Sequence, residues 1–289
     1  MILPYAAGGP TDYTSRLLAS GMEKRLGQPV IVDYKPGGNT VIAAEFVARA
    51  PADGYTILYA TATIVTSSIL ATTSYDPVRD LQPITQVSSA THVLLVNNSV
   101  PANNLKELIQ WLKSNGPKVN YASVGIGSST HIEAEAFKQL AVVEMNHVPY
   151  KGSAPAIVDL ISGRVQISFD SAGSSLPYIR DGRLRALASA GPRRNRLLPS
   201  LPTMAESGLP GYEFQVWVGL FAPTGTPEPI IDRLYREARG TLTDPVIHQK
   251  LMDVTNEPVA SSPAEFAAFF RKDAAQAAAL LKKSNVKGE

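Results

Sequence analysis

Short apolar runs alternate with amphipathic stretches along the first part of the chain, and this pattern predicts strands followed by helices. β-branched or aromatic runs at 29–34 and 55–60 are typical of strands. Residues 11–26 carry apolar positions spaced by four, and 41–49 follow a glycine turn, so both predict helices. A short apolar strand ending at Ala7 opens the series. This order predicts a mostly parallel sheet with helices on both faces.

The alternation restarts near residue 98. The apolar runs 92–97 and 213–221 predict two long strands. Between them the sequence predicts helices at 105–114, 130–140, 154–161 and 176–180, and strands at 119–122, 146–150, 166–169 and 185–189. After 222 we expect helices, the last of which has Phe266 and Phe270 on a face that should pack against the first lobe. The chain therefore predicts an α/β fold with two lobes, two crossover strands and hinge closure around a ligand in the cleft between the lobes.

A glycine turn joins the first strand to the first helix. Gly8 and Gly9 are followed by Thr11 and Asp12, which are good helix N-cap residues. Such a turn leaves backbone N–H groups at the positive end of a helix, where a carboxylate or phosphate can bind without a cationic side chain. The alternative is an ordinary turn between a strand and a helix.

A second copy of this arrangement lies in the middle of the chain. The predicted strand 119–122 leads into a glycine and serine loop from Ser123 to Ser129, and Thr130 with Glu133 forms a capping-box pattern that predicts the start of the next helix. Two such helix starts in separate halves of the protein favour a ligand held between them.

Hydroxyl groups and two titratable side chains complete the candidate site. Thr61 and Thr63 follow a predicted strand and could donate to an oxygen-rich ligand, or they could serve as caps and packing residues. His131 could donate to a carboxylate from its ring, or bond to nearby backbone. Asp170 ends a strand and could bind an amine or hydroxyl of the ligand, or cap the next turn. The other three histidines have no predicted role.

The composition narrows the class of protein. A length of 289 residues exceeds the usual domain of about 100–200 residues, which favours two lobes. Lys and Arg number 27 against 25 Asp and Glu, so the net charge of +2 does not predict nucleic-acid binding. The absence of cysteine excludes disulfides and thiol chemistry, and suits an oxidising compartment. No apolar run approaches the roughly 18 residues of a membrane span. Met1 leads directly into the first strand, so we expect any leader peptide to be missing from this sequence.

Motifs that would indicate an enzyme or a DNA-binding regulator are absent from the sequence. There is no Gly-x-Ser-x-Gly elbow, no phosphate-binding Walker motif and no complete dinucleotide fingerprint, and the four histidines lack metal-ligand spacing. No helix-turn-helix pattern is present. We therefore predict no catalytic residue, no metal site and no cofactor.

Several motifs, in order along nearly the whole chain, resemble the Bug family, the substrate-binding receptors of tripartite tricarboxylate transporters. These motifs are Pro-Tyr-Ala-Ala-Gly-Gly-Pro-Thr-Asp at 4–12, Pro-Gly-Gly-Asn at 36–39, Ala-Pro-Ala-Asp-Gly-Tyr-Thr at 50–56, Asn-Tyr-Ala-Ser at 120–123, His-Val-Pro-Tyr-Lys-Gly at 147–152, Phe-Asp-Ser at 169–171, Arg-Leu-Arg-Ala-Leu-Ala at 183–188 and Leu-Pro-Gly-Tyr at 209–212. The loop 125–130 differs in detail from the commoner Gly-x-Gly-Thr/Ser pattern of the family.

The resemblance implies a type II-like periplasmic binding protein with lobes at 1–97 plus 220–289 and at 98–219. In the family a ligand carboxylate is held by loop backbone and ordered waters. The positions that match these loops here are Gly8, Gly9, Thr11 and Asp12 on one side, and Ser129, Thr130 and His131 on the other. Asp170 matches the position that faces the variable end of the ligand.

The expected partners are a small carboxylate and the subunits of a membrane transporter, for a monomeric protein in the periplasm. Two alternatives stay open at this point. One is a ligand-sensing receptor that signals through a membrane partner, and the other is an enzyme that acts on small carboxylates.

Overall fold

Strands and helices alternate along the chain in the computed structural model, which describes residues 1–254 and 256–283. The first part contains β1 Ile2–Leu3, α1 Pro10–Leu26, β2 Asp33–Tyr34, α2 Val41–Ala48, β3 Leu58–Thr61, α3 Thr63–Leu70, α4 Pro77–Asp80 and β4 Leu81–Ala90. The middle part contains β5 His92–Asn97, α5 Leu105–Asn115, β6 Asn120–Ser123, α6 Ser129–Ala141, β7 Asn146–Pro149, α7 Ser153–Ser162, β8 Ile167–Ser171, α8 Ala172–Arg180 and β9 Leu184–Ser189. The last part contains β10 Val216–Pro223, α9 Glu228–Leu242, α10 Pro245–Asp253, β11 Glu257–Pro258 and α11 Pro263–Lys283.

These elements form two units. Unit 1 contains Met1–Ser89 and Trp217–Ala279, and unit 2 contains Ala90–Val216 with the end of α11 from Leu280. The chain thus leaves unit 1 after β4 and returns at β10. The lobe limits derived from the family resemblance, 1–97 with 220–289 and 98–219, stay a prediction.

Unit 1 is built on a mixed sheet with the strand order β11-β4-β10-β3-β1-β2. β1 is parallel to β2 and β3, with Ile2 opposite both Asp33 and Leu58. β10 is antiparallel to β3. Because β1 and β3 are parallel neighbours, the segments that follow Leu3 and Thr61 emerge at the same edge of this sheet.

Unit 2 has a second mixed sheet with the order β7-β6-β8-β5-β9. β6 is parallel to β7 and β8, and Tyr121 lies opposite His147 on one side and Ile167 on the other. β5 is antiparallel to β8 and β9. The carboxyl ends of β6, β7 and β8 therefore share an edge with the first residue of β5, His92.

Several local predictions for unit 1 differ from the structure. The first strand, predicted to end at Ala7, is limited to Ile2–Leu3. The strand predicted at 29–34 is limited to Asp33–Tyr34. The hydroxyl-rich segment after Thr61, for which no helix was predicted, forms α3. In that helix Ser67 and Ser68 donate to the carbonyls of Ile64 and Val65, so their hydroxyls bond locally and do not interrupt the helix.

Aromatic rings form the core between α11 and the sheet of unit 1, as the apolar face of that helix predicts. Trp217 is fully buried and makes edge-on contacts with Phe266 and Phe270 at ring-centroid distances of 5.7 Å. The indole Nε1 of Trp217 donates to Oδ2 of Asp273 at 3.0 Å. Because Asp273 is buried, its pKa is raised to about 6, although the Trp217 hydrogen bond opposes the shift.

Replacing Asp273 with asparagine should stabilise the protein at pH 8 by about 2 kcal/mol. The folded-state pKa of Asp273 lies above its unfolded value, so its contribution to stability is complete below pH 4 and is lost as the pH rises through about 6. Asparagine keeps an oxygen that accepts from Trp217 and carries no charge. Urea unfolding at pH 4 and pH 8 measures the effect, which should be small at pH 4. Equal destabilisation at both pH values would contradict the prediction.

Candidate ligand-binding loops

The first glycine loop connects β1 to α1. Gly8 has a φ of +89°, a backbone conformation that residues with a Cβ adopt only at a cost in free energy. Gly9 is the N-cap of α1, and it offers no side chain to the helix N–H groups. The N-cap is therefore not Thr11 or Asp12 as predicted, because Pro10 occupies the first helical position, which its fixed φ favours. The first N–H groups of α1 have no intrahelical acceptors and are donors for an anion.

Asp12 folds back onto this loop. Its Oδ2 accepts from the Gly8 amide at 2.7 Å, and its Oδ1 accepts from the Tyr34 hydroxyl at 2.7 Å and from Arg16 Nε at 2.8 Å. Only 5% of Asp12 is exposed. The Gly8 hydrogen bond lowers the pKa of Asp12 most, and the Tyr34 hydrogen bond lowers it further. Burial raises the pKa, and Arg16 lowers it by a smaller amount. The carboxylate therefore stays ionised and holds the turn in shape.

Thr61 and Thr63 gather at the end of β3. The Thr61 hydroxyl lies 2.6 Å from the Tyr5 hydroxyl and donates to Thr63 Oγ1 at 3.1 Å. Tyr5 precedes Gly8 on the same connection, so the structure brings the two threonines to the edge of the sheet where the first glycine loop begins. The sequence gives no indication of a role for Tyr5 or Tyr34, since their contacts lie 56 and 22 residues away along the chain.

The second glycine loop connects β6 to α6. Ser128 is the N-cap of α6, and its Oγ accepts from the His131 amide at 3.4 Å. The predicted capping box of Thr130 and Glu133 is therefore wrong. The Thr130 hydroxyl instead accepts from the Val124 amide at 3.0 Å, and the Glu133 carboxylate pairs with His92. Ser128 stands two residues before Thr130 and can reach the same helix end.

Ser123 fixes the start of this loop. Its Oγ accepts from the Gly125 amide at 3.1 Å and donates to the Gly125 carbonyl at 3.1 Å. The same oxygen lies 2.6 Å from Nε2 of His147. Ser123 and Thr130 are buried, whereas Ser129 is half-buried at the first position of α6. The N–H groups of Ser129 and Thr130 come before the first helical hydrogen bond and can donate to an anion.

His131 fixes the other end of the second loop. Its Nδ1 accepts from the Gly127 amide at 3.0 Å, so the ring proton must lie on Nε2. The ring stacks on His147 with centroids 3.9 Å apart and planes 7° apart. Burial lowers the pKa of His131, with Lys138 adding to this effect and Glu135 opposing it. As a neutral imidazole, His131 can act as a donor from Nε2.

Asp170 lies in β8 and is 6% exposed. Its Oδ2 accepts from the Ser153 hydroxyl at 2.5 Å, and its Oδ1 accepts from the Ser171 amide at 2.7 Å. The carboxylate therefore binds the first residue of α7 as well as its own neighbour.

A buried pair that the sequence did not predict lies near the same edge of unit 2. Nδ1 of His92 is 2.9 Å from Oε2 of Glu133, and both residues are buried. Burial raises the pKa of Glu133. The His92 ring lowers this pKa, and the Asp170 carboxylate raises it further. Burial also disfavours the charged form of His92, yet the neighbouring Glu133 and Asp170 carboxylates raise its pKa. The two residues are 41 positions apart, and the capping-box pattern that includes Glu133 gives no indication of this contact.

Among residues 1–254 and 256–283, no group of acidic residues and histidines is arranged to hold a metal ion. The helices of this described part are too short or too polar to cross a bilayer. The two loops offer mainly neutral hydrogen-bond donors, which suits an anionic ligand.

Comparison with known proteins identifies a family and similar structures. The family model described as tripartite tricarboxylate transporter family receptor matches residues 14–286. The solved structure of the periplasmic binding protein BugD is 34% identical with a TM-score of 0.80, over 100% of this chain and 98% of that one. An R. palustris protein with adipate is 33% identical with a TM-score of 0.83, over 100% and 97%. MatC from Rhodopseudomonas palustris with bound malate is 30% identical with a TM-score of 0.80, over 97% of each chain.

Proposed function

This chain belongs to the receptor family of the tripartite tricarboxylate transporters, and we propose that it captures a small organic carboxylate outside the cytoplasm and delivers it to a membrane transporter. The observation that carries the proposal is the glycine start of α1. There Gly9 leaves the first helix N–H groups without a side-chain cap, while Asp12 holds the turn from behind. The relatives with adipate and malate support a carboxylate as the ligand.

We assign the carboxylate contacts to backbone donors in both units. In unit 1 these are the amides of Gly9 and Thr11, supported by Gly8 and by the hydroxyls that end β3. In unit 2 they are the amides of Ser129 and Thr130, together with Nε2–H of His131. We propose that the Asp170 carboxylate accepts a hydrogen bond from a donor group elsewhere on the ligand. The contact of one ligand with both loops stays a prediction.

The protein acts by binding and release of an unchanged ligand, as a monomer in the periplasm. The groups that surround the two loops support this view. The Asp12 carboxylate is bonded to three donors, the Gly8 amide, the Tyr34 hydroxyl and Arg16, so it is not arranged as a free base. Membership of a family of receptors also supports binding and release without a chemical reaction.

A thermal shift experiment with malate, adipate and other mono- and dicarboxylates tests the proposed function. An acid at about 100 times its Kd should add about 2.7 kcal/mol to the free energy of unfolding. Because the donors are mainly neutral amides, the affinity should fall less than about threefold between about 50 and about 500 mM salt. The uncharged diamides of the same acids serve as controls and should give no shift.

Two results would contradict the proposal. One is the absence of stabilisation by every acid in the panel. The other is conversion of an acid to a product, measured by mass spectrometry after incubation with the protein. A loss of affinity of more than about tenfold over the same salt range would contradict the assignment to neutral donors.

A further inference from the structure

His147 contacts both side chains that fix the second glycine loop. It lies in β7, next to β6, in register with Tyr121. Its Nε2 is 2.6 Å from Ser123 Oγ, and its ring stacks on His131 at 3.9 Å. One side chain from the neighbouring strand therefore supports the loop at both of its ends.

Each of these contacts continues into loop backbone that has an unusual conformation. Ser123 bonds to the amide and the carbonyl of Gly125, whose φ is +129°. His131 accepts from the amide of Gly127, whose φ is +74°. A displacement of His147 would therefore loosen both glycine positions together.

We propose that His147 is a positioning residue that holds the second glycine loop in its binding shape through Ser123 and His131, and that it does so only while both imidazoles are neutral. The link to ligand affinity rests on the proposed function, whereas the support of the loop does not depend on it.

The geometry requires neutral rings. A proton on Nδ1 of His131 would remove the acceptor of the Gly127 amide. Two charged rings 3.9 Å apart would also repel each other. Burial lowers the pKa of His147 to about 4, and His131 adds to this shift.

Other groups face the stack and set its electrostatic surroundings. The ring of Tyr121 is 5.0 Å from His147, and its hydroxyl donates to Glu135 at 2.8 Å. Lys138 donates to the same Glu135 oxygen at 2.8 Å. Glu135 raises the pKa of His147 and Lys138 lowers it, and both effects are smaller than that of burial.

The expected pH dependence has a definite sign. The folded-state pKa values of both rings lie below the usual value of about 6.5. The stack should therefore contribute fully above pH 6.5, and its contribution should be lost as the pH falls toward 4. The first glycine loop should keep its shape over this range, since the pKa of Asp12 is lowered.

NMR spectra of the imidazoles and glycine amides in the full chain test the support of the loop. The chain has four histidines, so single substitutions assign their signals. His131 should be the Nε2–H tautomer at pH 7.5 and should titrate with a pKa below its usual range. H147F keeps a ring for stacking but removes Nε2, and H147Q keeps a polar end but removes the stack. Both should shift the amides of Gly125 and Gly127 and speed their hydrogen exchange by about tenfold or more.

H248F is the matched control, because His248 is an exposed residue of α10 in unit 1, and it should leave those two amides unchanged. A His131 that titrates near 6.5, or amides of Gly125 and Gly127 that do not respond to H147F and H147Q, would overturn the proposal.

Affinity for the best acid of the panel, with malate and adipate as the first probes, tests the consequence for binding. H147F should weaken binding about tenfold at pH 7.5, and the ratio of wild-type to variant affinity should fall as the pH is lowered toward 4, since the wild-type stack is lost over that range. Taking this ratio at each pH cancels protonation of the acid itself. A pH-independent ratio would contradict the neutral-ring requirement. Failure of the wild type to bind any acid would contradict the proposed function, while the NMR spectra would still decide the role of His147.

Discussion

Asp12→Ala should lower the affinity for a carboxylate by roughly 10- to 100-fold. The Asp12 carboxylate accepts the Gly8 amide, and the removal of this acceptor frees the turn that presents the N–H groups of α1. Arg16 and Tyr34 would lose their shared partner at the same time. Isothermal titration with the acid identified by thermal shift measures the loss.

A control variant distinguishes the effect of Asp12 on the shape of the loop from the effect of its negative charge on the ligand. Asp12 is negative, so its removal would strengthen binding if simple repulsion of the ligand dominated. Asp33→Ala removes an equal charge from the same unit, where the side chain is 56% exposed and pairs loosely with Lys35 at 3.5 Å. This variant should bind within about twofold of the wild type, because exposed charges have small effects. Tighter binding by Asp12→Ala would show that Asp12 does not position the loop.

Gly219→Val should destabilise the protein by about 3 kcal/mol or more. A Cβ at Gly219 would lie 2.3 Å from Cζ of Phe266 and 2.8 Å from Cε2 of Phe221. Both rings are buried and packed against Trp217 and Phe270, so they cannot turn aside without disturbing the core of unit 1. Urea unfolding followed by tryptophan fluorescence measures the change.

Two further variants make this prediction specific. Gly240→Ala is the matched control, because the Cβ there would meet the guanidinium of Arg25, a flexible side chain that is 47% exposed. It should change stability by less than about 1 kcal/mol. Combining Gly219→Ala with Phe266→Leu should cost less than the sum of the two single substitutions, since the smaller side chain frees the space that the new methyl group needs. Strict additivity would contradict the proposed clash.

Local patterns in the sequence predicted much of the fold. Apolar runs and glycine turns gave most of the strands and helices, and the α/β fold of two-lobed periplasmic binding proteins is confirmed by TM-scores of 0.80 to 0.83 to structures of that class. The resemblance to the Bug family is likewise confirmed by the family model and by BugD. The hydroxyl-rich helix α3 was not predicted, and the capping box predicted at Thr130 was wrong because Ser128 is the N-cap of α6.

The sequence by itself determined the family, the alternation of strands and helices and the two glycine turns that precede α1 and α6, because these features depend on residues close together along the chain. Tertiary structure alone decided that Asp12 accepts from Tyr34, that Glu133 pairs with His92, and that His147 stacks on the helix-start histidine of α6. Those partners come from different strands and helices, and hydrogen bonding and ring stacking leave no periodic pattern in the sequence. The physical reason is that spacing along the chain encodes which faces are buried, whereas the choice among several buried polar partners is made only when the elements pack.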